Sequence, residues 1–289
     1  MSPFCIDFMK ILISGASGYL GSQLANYLGS YFEVFALVRH TSSIERLNPD
    51  VITVVRGNEK SELDKLFSDI KPDVVINTAA IYGRKGERLS DLIEANIVFP
   101  ANLIELADKH KAKAFMHTGT SLPRDVSLYA ATKRTFPDIV KKAACNLKFV
   151  NVELEHFFGP GDDSTKFISY IVEQCSSSMS LDLTSGTQER DFIYIDDVIS
   201  AYKILIENLV ILNHSESVSL GSGQAYRIKD IVEAIWRISQ SKTELNFGKI
   251  PMRENELMYS CADTTKLKNL GWEAKYTIKS GLERIILGE

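Results

Sequence analysis

Lys10-Ile11-Leu12-Ile13-Ser14-Gly15-Ala16-Ser17-Gly18-Tyr19-Leu20-Gly21 is an apolar run that passes straight into a loop with glycines at spacing three and three. Glycine at these points allows a tight strand-to-helix turn and lets the backbone come close to a pyrophosphate, whose charge then rests at a helix N-terminus. A tight turn without a ligand would use the same residues, but here the loop opens the first βαβ unit of the chain, where a dinucleotide fingerprint belongs. Gly15, Ser17, Gly18, Tyr19, Leu20 and Gly21 are therefore the first candidate cofactor contacts.

Downstream of the loop, short β-branched runs at 10–14, 33–38, 51–55, 73–77, 113–118 and 147–153 alternate with amphipathic stretches. That alternation predicts an α/β fold with a parallel sheet covered by helices on both faces. Two strongly periodic helices are expected over 91–110 and 127–145, on either side of the fifth strand. Pro137 falls inside the second and should kink it near Lys133 or end it early. Beyond residue 155, Gly159, Pro160 and Gly161 mark a change to shorter, more irregular elements and a smaller second lobe. Ser176-Ser177-Ser178 reads as a loop.

The second strand ends in Leu37-Val38-Arg39-His40 with no carboxylate. An acid there would bind the adenosine ribose hydroxyls, whereas an arginine suits a 2′-phosphate, so Arg39 favours NADPH, with NADH possible. Asn58, after the third strand, could meet the adenine edge. Ala79 and Ala80, after the fourth, would let a cofactor lie against the backbone. Each of these could also be a simple turn or surface residue.

Tyr129 and Lys133 are four residues apart, on one face of the expected helix. A cation near the phenol should lower its pKa, so that the tyrosine can exchange a proton during hydride transfer. His117-Thr118-Gly119-Thr120-Ser121 supplies a hydroxyl cluster at the end of the fifth strand, the edge at which open α/β sheets bind ligands. Thr120 is the candidate for holding a carbonyl oxygen, with Ser121 as substitute.

Taken together with His156-Phe157-Phe158-Gly159-Pro160-Gly161 and Arg190-Asp191-Phe192-Ile193-Tyr194-Ile195-Asp196-Asp197-Val198, the chain resembles the extended short-chain dehydrogenases/reductases that modify nucleotide sugars. The resemblance spans essentially the whole length. Gly119-Thr120-Ser121-Leu122-Pro123, Leu154-Glu155-His156-Phe157, Leu183-Thr184-Ser185-Gly186 and Asn255-Glu256-Leu257-Met258-Tyr259-Ser260 are most similar to the reductases of CDP-linked 3,6-dideoxyhexoses. It implies a Rossmann-type doubly wound sheet over 9–155 and a substrate-binding lobe over 156–289 that returns a strand and a helix to the core. It also implies reduction of a nucleotide-linked 4-keto sugar, CDP being the expected nucleotide. Tyr129 would be the acid, Lys133 would hold the nicotinamide ribose, and Thr120 would orient the keto oxygen. Arg190 and Arg253 would face the diphosphate, and Lys166 and His156 would line the sugar pocket. Dehydratases of the family carry an added acid and base after the hydroxyl residue. Ser121-Leu122-Pro123 offers neither, which leaves a 4-epimerase with tightly bound NAD as the alternative. Family members commonly dimerise through the helices expected at 91–110 and 127–145.

The bulk numbers fit. With 45% hydrophobic and 24% charged residues the chain is an ordinary globular protein. Its 33 basic against 37 acidic residues, net charge −4, give no polyanion-binding footprint. The four cysteines have neither zinc-ligand nor redox spacing, so no metal is expected. No segment has the roughly 20 apolar residues of a membrane span, and none reads as an export signal, so a reduced cytoplasmic protein is the expectation. Residues 1–8 are expected to be a leader or an upstream start.

Overall fold

The computed structural model describes residues 9–143, 145–177 and 179–288. The first eight residues, with their expected leader and Cys5, lie outside this set. In chain order the elements are β1 (Lys10–Ser14), α1 (Tyr19–Leu28), β2 (Glu33–Val38), β3 (Thr53–Arg56), α2 (Lys60–Ile70), β4 (Val74–Asn77), α3 (Leu89–Ile93), α4 (Phe99–Lys109), β5 (Ala114–Thr118), α5 (Leu128–Val140) and β6 (Lys148–Leu154). There follow β7 (His156–Phe158), α6 (Phe167–Ser177), β8 (Ser180–Leu183), β9 (Glu189–Tyr194), α7 (Ile195–Glu207), β10 (Ser215–Leu220), β11 (Ala225–Arg227), α8 (Ile228–Ile238), β12 (Glu244–Phe247), β13 (Tyr259–Ser260), α9 (Thr265–Asn269) and α10 (Ile278–Leu287).

Seven strands form one sheet in the order β10-β6-β5-β4-β1-β2-β3. The ladders from β3 through β2, β1, β4 and β5 to β6 are parallel, so the fold is the doubly wound one expected. Parallel strands covered on both faces bury every side chain, and Val74–Asn77 and Ala114–Thr118 are buried throughout. One core cluster joins Leu12, Val75, Phe115 and Phe149 of the sheet to Phe67, Leu103, Phe136 and Val140 of the helices. Each such side chain contributes about 1.5–3 kcal/mol by leaving water.

The chain divides into two compact units. One runs to Thr120 and adds Ser127–Val152 and Leu205–Val218; the other takes Ser121–Val126, Glu153–Ile204 and Ser219–Glu289. In the second, β9 pairs with β7 and β13 in parallel and with β11 antiparallel, while β8 and β12 pair separately. Asp191, fully buried, accepts from the backbone of Ser222, Gly223 and Ala262 and from the Ser222 hydroxyl. Asp197 accepts from the backbone N–H groups of Lys275 and Tyr276. Asp191 and Asp197 of the RDF…DD segment thus tie loops to strand and helix.

Three local expectations change. Helix α5 carries Pro137 in its interior, buried, and stops at Val140 instead of 145, the early end being one of the two outcomes expected of the proline. The run expected as one helix over 91–110 is α3 and α4 joined by a π-helical turn, Glu94–Val98. Proline cannot donate to the carbonyl four residues back and collides with it, and Pro100 sits just after that turn; the wider turn pairs the Phe99 N–H with the Glu94 carbonyl. Ser176 and Ser177 are helical rather than looped, their hydroxyls donating to the carbonyls of Val172 and Glu173. Ser178 lies outside the described residues. The second half also carries helices as long as those of the first, since α6, α7 and α8 each build an apolar face.

Candidate active site

The glycine loop is built by close approach. Gly15 has φ +73°, and a Cβ there would lie 2.6 Å from the Ala79 nitrogen; at Gly21 it would lie 2.3 Å from the Gly15 carbonyl oxygen. The Thr78 hydroxyl donates to the Ser14 carbonyl at 2.8 Å and locks the β4 exit, with Ala79 and Ala80, against the loop. Gly18 caps α1 without a side-chain bond, and the first turn carries no acid, which leaves the helix N-terminus suited to an anion. Ser17 and Tyr19 are half-buried beside it, and Leu20 is buried.

At the end of β2, Arg39 is exposed. Arg56, at the end of β3, donates through Nη1 to the carbonyls of Arg39 and His40 at 3.0 and 2.9 Å and shapes this corner. Arg46 lies 5.7 Å from the centre of the Tyr19 ring. The Asn58 amide donates to Glu59 at 3.1 Å, next to the capping box of α2, so part of its hydrogen-bonding capacity is spent on the helix start.

Lys133 is 1% exposed, and its Nζ has no hydrogen-bond partner among the described residues. Burial alone pulls its pKa down to about 7. An ammonium left bare in this way fits the hydroxyls of a nicotinamide ribose, which would supply the missing acceptors. Tyr129 is half-buried, with Thr120, 5% exposed, hydrogen-bonded to its phenol. The pKa of Tyr129 is driven well above the ordinary value, first by burial and then by Tyr82; Thr120 and Arg84 only partly oppose this. The expected lowering by Lys133 is therefore not what this site does. The lysine is itself held near neutrality, and the phenol stays loaded with its proton.

Gly119 leaves no room for a side chain: a Cβ there would lie 2.5 Å from Oδ1 of Asn151 on β6. The hydroxyl role thereby falls to Thr120. Beneath the site, the Ser14 hydroxyl donates to Asn77 at 2.6 Å, and Asn77 contacts Nδ1 of His117 at 3.1 Å. Burial keeps His117 neutral.

In the second unit the buried Arg190 donates to Glu256 at 2.7 Å and to the Glu189 carbonyl at 2.8 Å. Glu155 acts on it electrostatically, accepts from Ser260 at 2.7 Å and stands 3.6 Å from Nδ1 of His156. Arg253 is exposed, three residues before Glu256. Lys166 sits 3.7 Å over the Phe157 ring and 3.0 Å from Asp162. Ser121 belongs to this unit too, its N–H bound to the Leu154 carbonyl.

The sequence thus draws attention to two sets, and each is assembled within its own unit. Tyr82, Asn96, Glu155 and Glu256 escaped notice. Glu155 and Glu256 stand in quoted segments and could have been suspected as partners for Arg190; Tyr82 and Asn96 carry no local signal.

The family model for the NAD dependent epimerase/dehydratase family matches residues 11–221. CDP-abequose synthase of Salmonella typhimurium is 31% identical, over 97% of this chain and 99% of the relative. That of Yersinia pseudotuberculosis is 26% identical, over 94% and 97%. UDP-glucose 4-epimerase of Thermotoga maritima, solved with UDP-glucose, shares the fold with TM-score 0.85 at 21% identity, over 96% of this chain and 98% of that one. The Thermus thermophilus UDP-glucose 4-epimerase, solved with NAD, does so with TM-score 0.81 at 20% identity, over 96% and 98%. Fold, glycine loop, Tyr–Lys pair and these matches agree: the chain belongs to the NAD dependent epimerase/dehydratase family and is an NAD(P)-dependent oxidoreductase.

Proposed function

We propose that this enzyme reduces the 4-keto group of CDP-4-dehydro-3,6-dideoxyglucose with NADPH, giving CDP-paratose or its C4 epimer CDP-abequose. The observation that carries the reading is Tyr129, hydrogen-bonded to the Thr120 hydroxyl, one helical turn from the bare, buried Lys133. A phenol hydrogen-bonded to the hydroxyl that would hold the keto oxygen stands where a reduction needs its proton donor. The abequose synthases among the relatives supply the substrate class.

NADPH would bring the hydride. Tyr129 gives its proton to the C4 oxygen as the carbon is reduced, and Thr120 holds that oxygen in place. Lys133 binds the ribose hydroxyls and gains the partners it lacks. Arg39, with Arg46 and Arg56 nearby and no acid at the end of β2, selects the 2′-phosphate over a bare ribose. Arg190, already oriented by Glu256, and Arg253 take the diphosphate, for which guanidinium geometry is well suited. His156 and Lys166 line the sugar side.

We further propose a homodimer built on α3, α4 and α5. Leu89, Ile93 and Val98 before α4, and Leu128 and Ile139 on α5, are exposed apolar side chains on helical segments that already pack against each other. The free thiols among the described residues, Cys145, Cys175 and Cys261, suit a reducing cytoplasm.

The NAD-bound epimerase neighbours favour one second reading, a 4-epimerase that keeps NAD. Purified protein incubated with NADPH and the CDP-ketosugar separates the two. Consumption of NADPH is expected, with NMR of the product reporting the C4 configuration; tightly held NAD⁺ without consumption would establish the epimerase.

A further inference from the structure

The ring of Tyr82 lies on that of Tyr129, with centroids 4.7 Å apart and planes inclined by 28°. Tyr82 is 41% exposed, so core burial does not explain it. The loop that carries it is fixed from below. The buried Asn96 accepts from the Ile81 N–H at 3.0 Å and donates to the Ile81 carbonyl at 2.9 Å. The same amide donates to the Thr132 hydroxyl at 3.0 Å, and that hydroxyl donates to the Tyr129 carbonyl at 2.9 Å. One side chain therefore joins the residue before Tyr82 to the helical turn that presents Tyr129. Asn96 stands in the π-helical turn, a feature that recurs at functional sites.

Resting on the ketoreductase reading above, we propose that Tyr82 is a positioning residue for the proton donor, its ring clamping the Tyr129 phenol for transfer to the substrate oxygen. A stacked aromatic restricts the phenol's swing at the cost of few rotatable bonds, and proton transfer needs donor and acceptor within hydrogen-bond reach. The hydroxyl of Tyr82 has a second effect. It hydrogen-bonds to Tyr129 and favours the protonated phenol. The other groups acting on Tyr129 are Arg84 from the same loop, 5.5 Å from the Tyr82 ring, and Thr120 just past β5; Lys133 lies one turn further along the same helix.

The test compares Tyr82→Leu and Tyr82→Phe with the wild type, using kcat against pH for ketosugar reduction and, without substrate, the pH titration of Tyr129 by NMR of ring-labelled tyrosine. Loss of the stack in Tyr82→Leu should lower kcat by about tenfold or more while the NADPH dissociation constant moves less than about twofold. Tyr82→Phe keeps the stack and should recover much of that loss. Its alkaline limb, where Tyr129 loses its proton, should fall to lower pH because the hydroxyl that favours the protonated form is gone, and the NMR titration should move the same way. A Tyr82→Leu kcat within about twofold of the wild type, or a limb and titration unmoved in Tyr82→Phe, would overturn the proposal. If the wild type reduces no ketosugar while the titration still shifts, the substrate assignment fails and the clamp stands.

Discussion

Lys133 is the residue at which function and stability pull apart. Its folded pKa is about 7, against an ordinary 10.5. Between those values the unfolded chain holds a proton that the folded chain has released, so stability rises with pH over that window. Below pH 7 both states are protonated, and the folded state carries the whole cost of a bare buried charge. Lys133→Met should therefore stabilise the free enzyme by about 1–3 kcal/mol at acid pH, an advantage that fades toward the alkaline side, while turnover collapses. Chemical denaturation across pH checks this; a methionine variant less stable at every pH would contradict it. The Tyr–Lys spacing and the glycine loop are legible in the sequence because each is a local pattern with one backbone meaning. Arg190's partner Glu256 is not, because the pair is 66 residues apart and only the fold brings it together.

At the scale of elements, the six sheet strands foreseen from β-branched runs all form, with limits shifted by a residue or two, because burial of the inner strands on both faces demands continuous apolar runs. The π-helical turn escapes such reading. Its periodicity is still helical, and the signal is one proline, Pro100, whose effect on the preceding turn depends on what the turn can bind. Here it carries Asn96, which closes the Ile81 loop. Asn96→Leu should leave the Ile81 N–H and carbonyl without partners and destabilise the protein by about 1–3 kcal/mol. NADPH affinity should weaken with it, since Ala79 and Ala80 belong to the same loop. Thermal unfolding and NADPH titration read both, and a variant unchanged in the two would show that the loop is held by other contacts.

For the whole molecule, the apolar side chains left exposed on α3, the π-helical turn and α5 are a feature of the described residues that a single chain does not explain. Sedimentation of the wild type should give a dimer at micromolar concentration, and Val98→Glu combined with Ile139→Glu should give monomers, since unpaired charges cannot be buried at such a contact. A wild-type monomer would contradict the dimer. Among the described residues no helix is long and apolar enough to cross a membrane. The substrate itself was not legible from composition or spacing. It is proposed on whole-length resemblance, because the residues proposed to read sugar and nucleotide are scattered along the chain.

The measurement that tests the central claim most directly is NADPH oxidation with CDP-4-dehydro-3,6-dideoxyglucose, by the wild type and by Tyr129→Phe, with NADPH binding measured on both. The account predicts stoichiometric oxidation by the wild type, and a loss in Tyr129→Phe of at least about a hundredfold with cofactor affinity retained. Undiminished turnover in Tyr129→Phe would remove Tyr129 from its role as the acid.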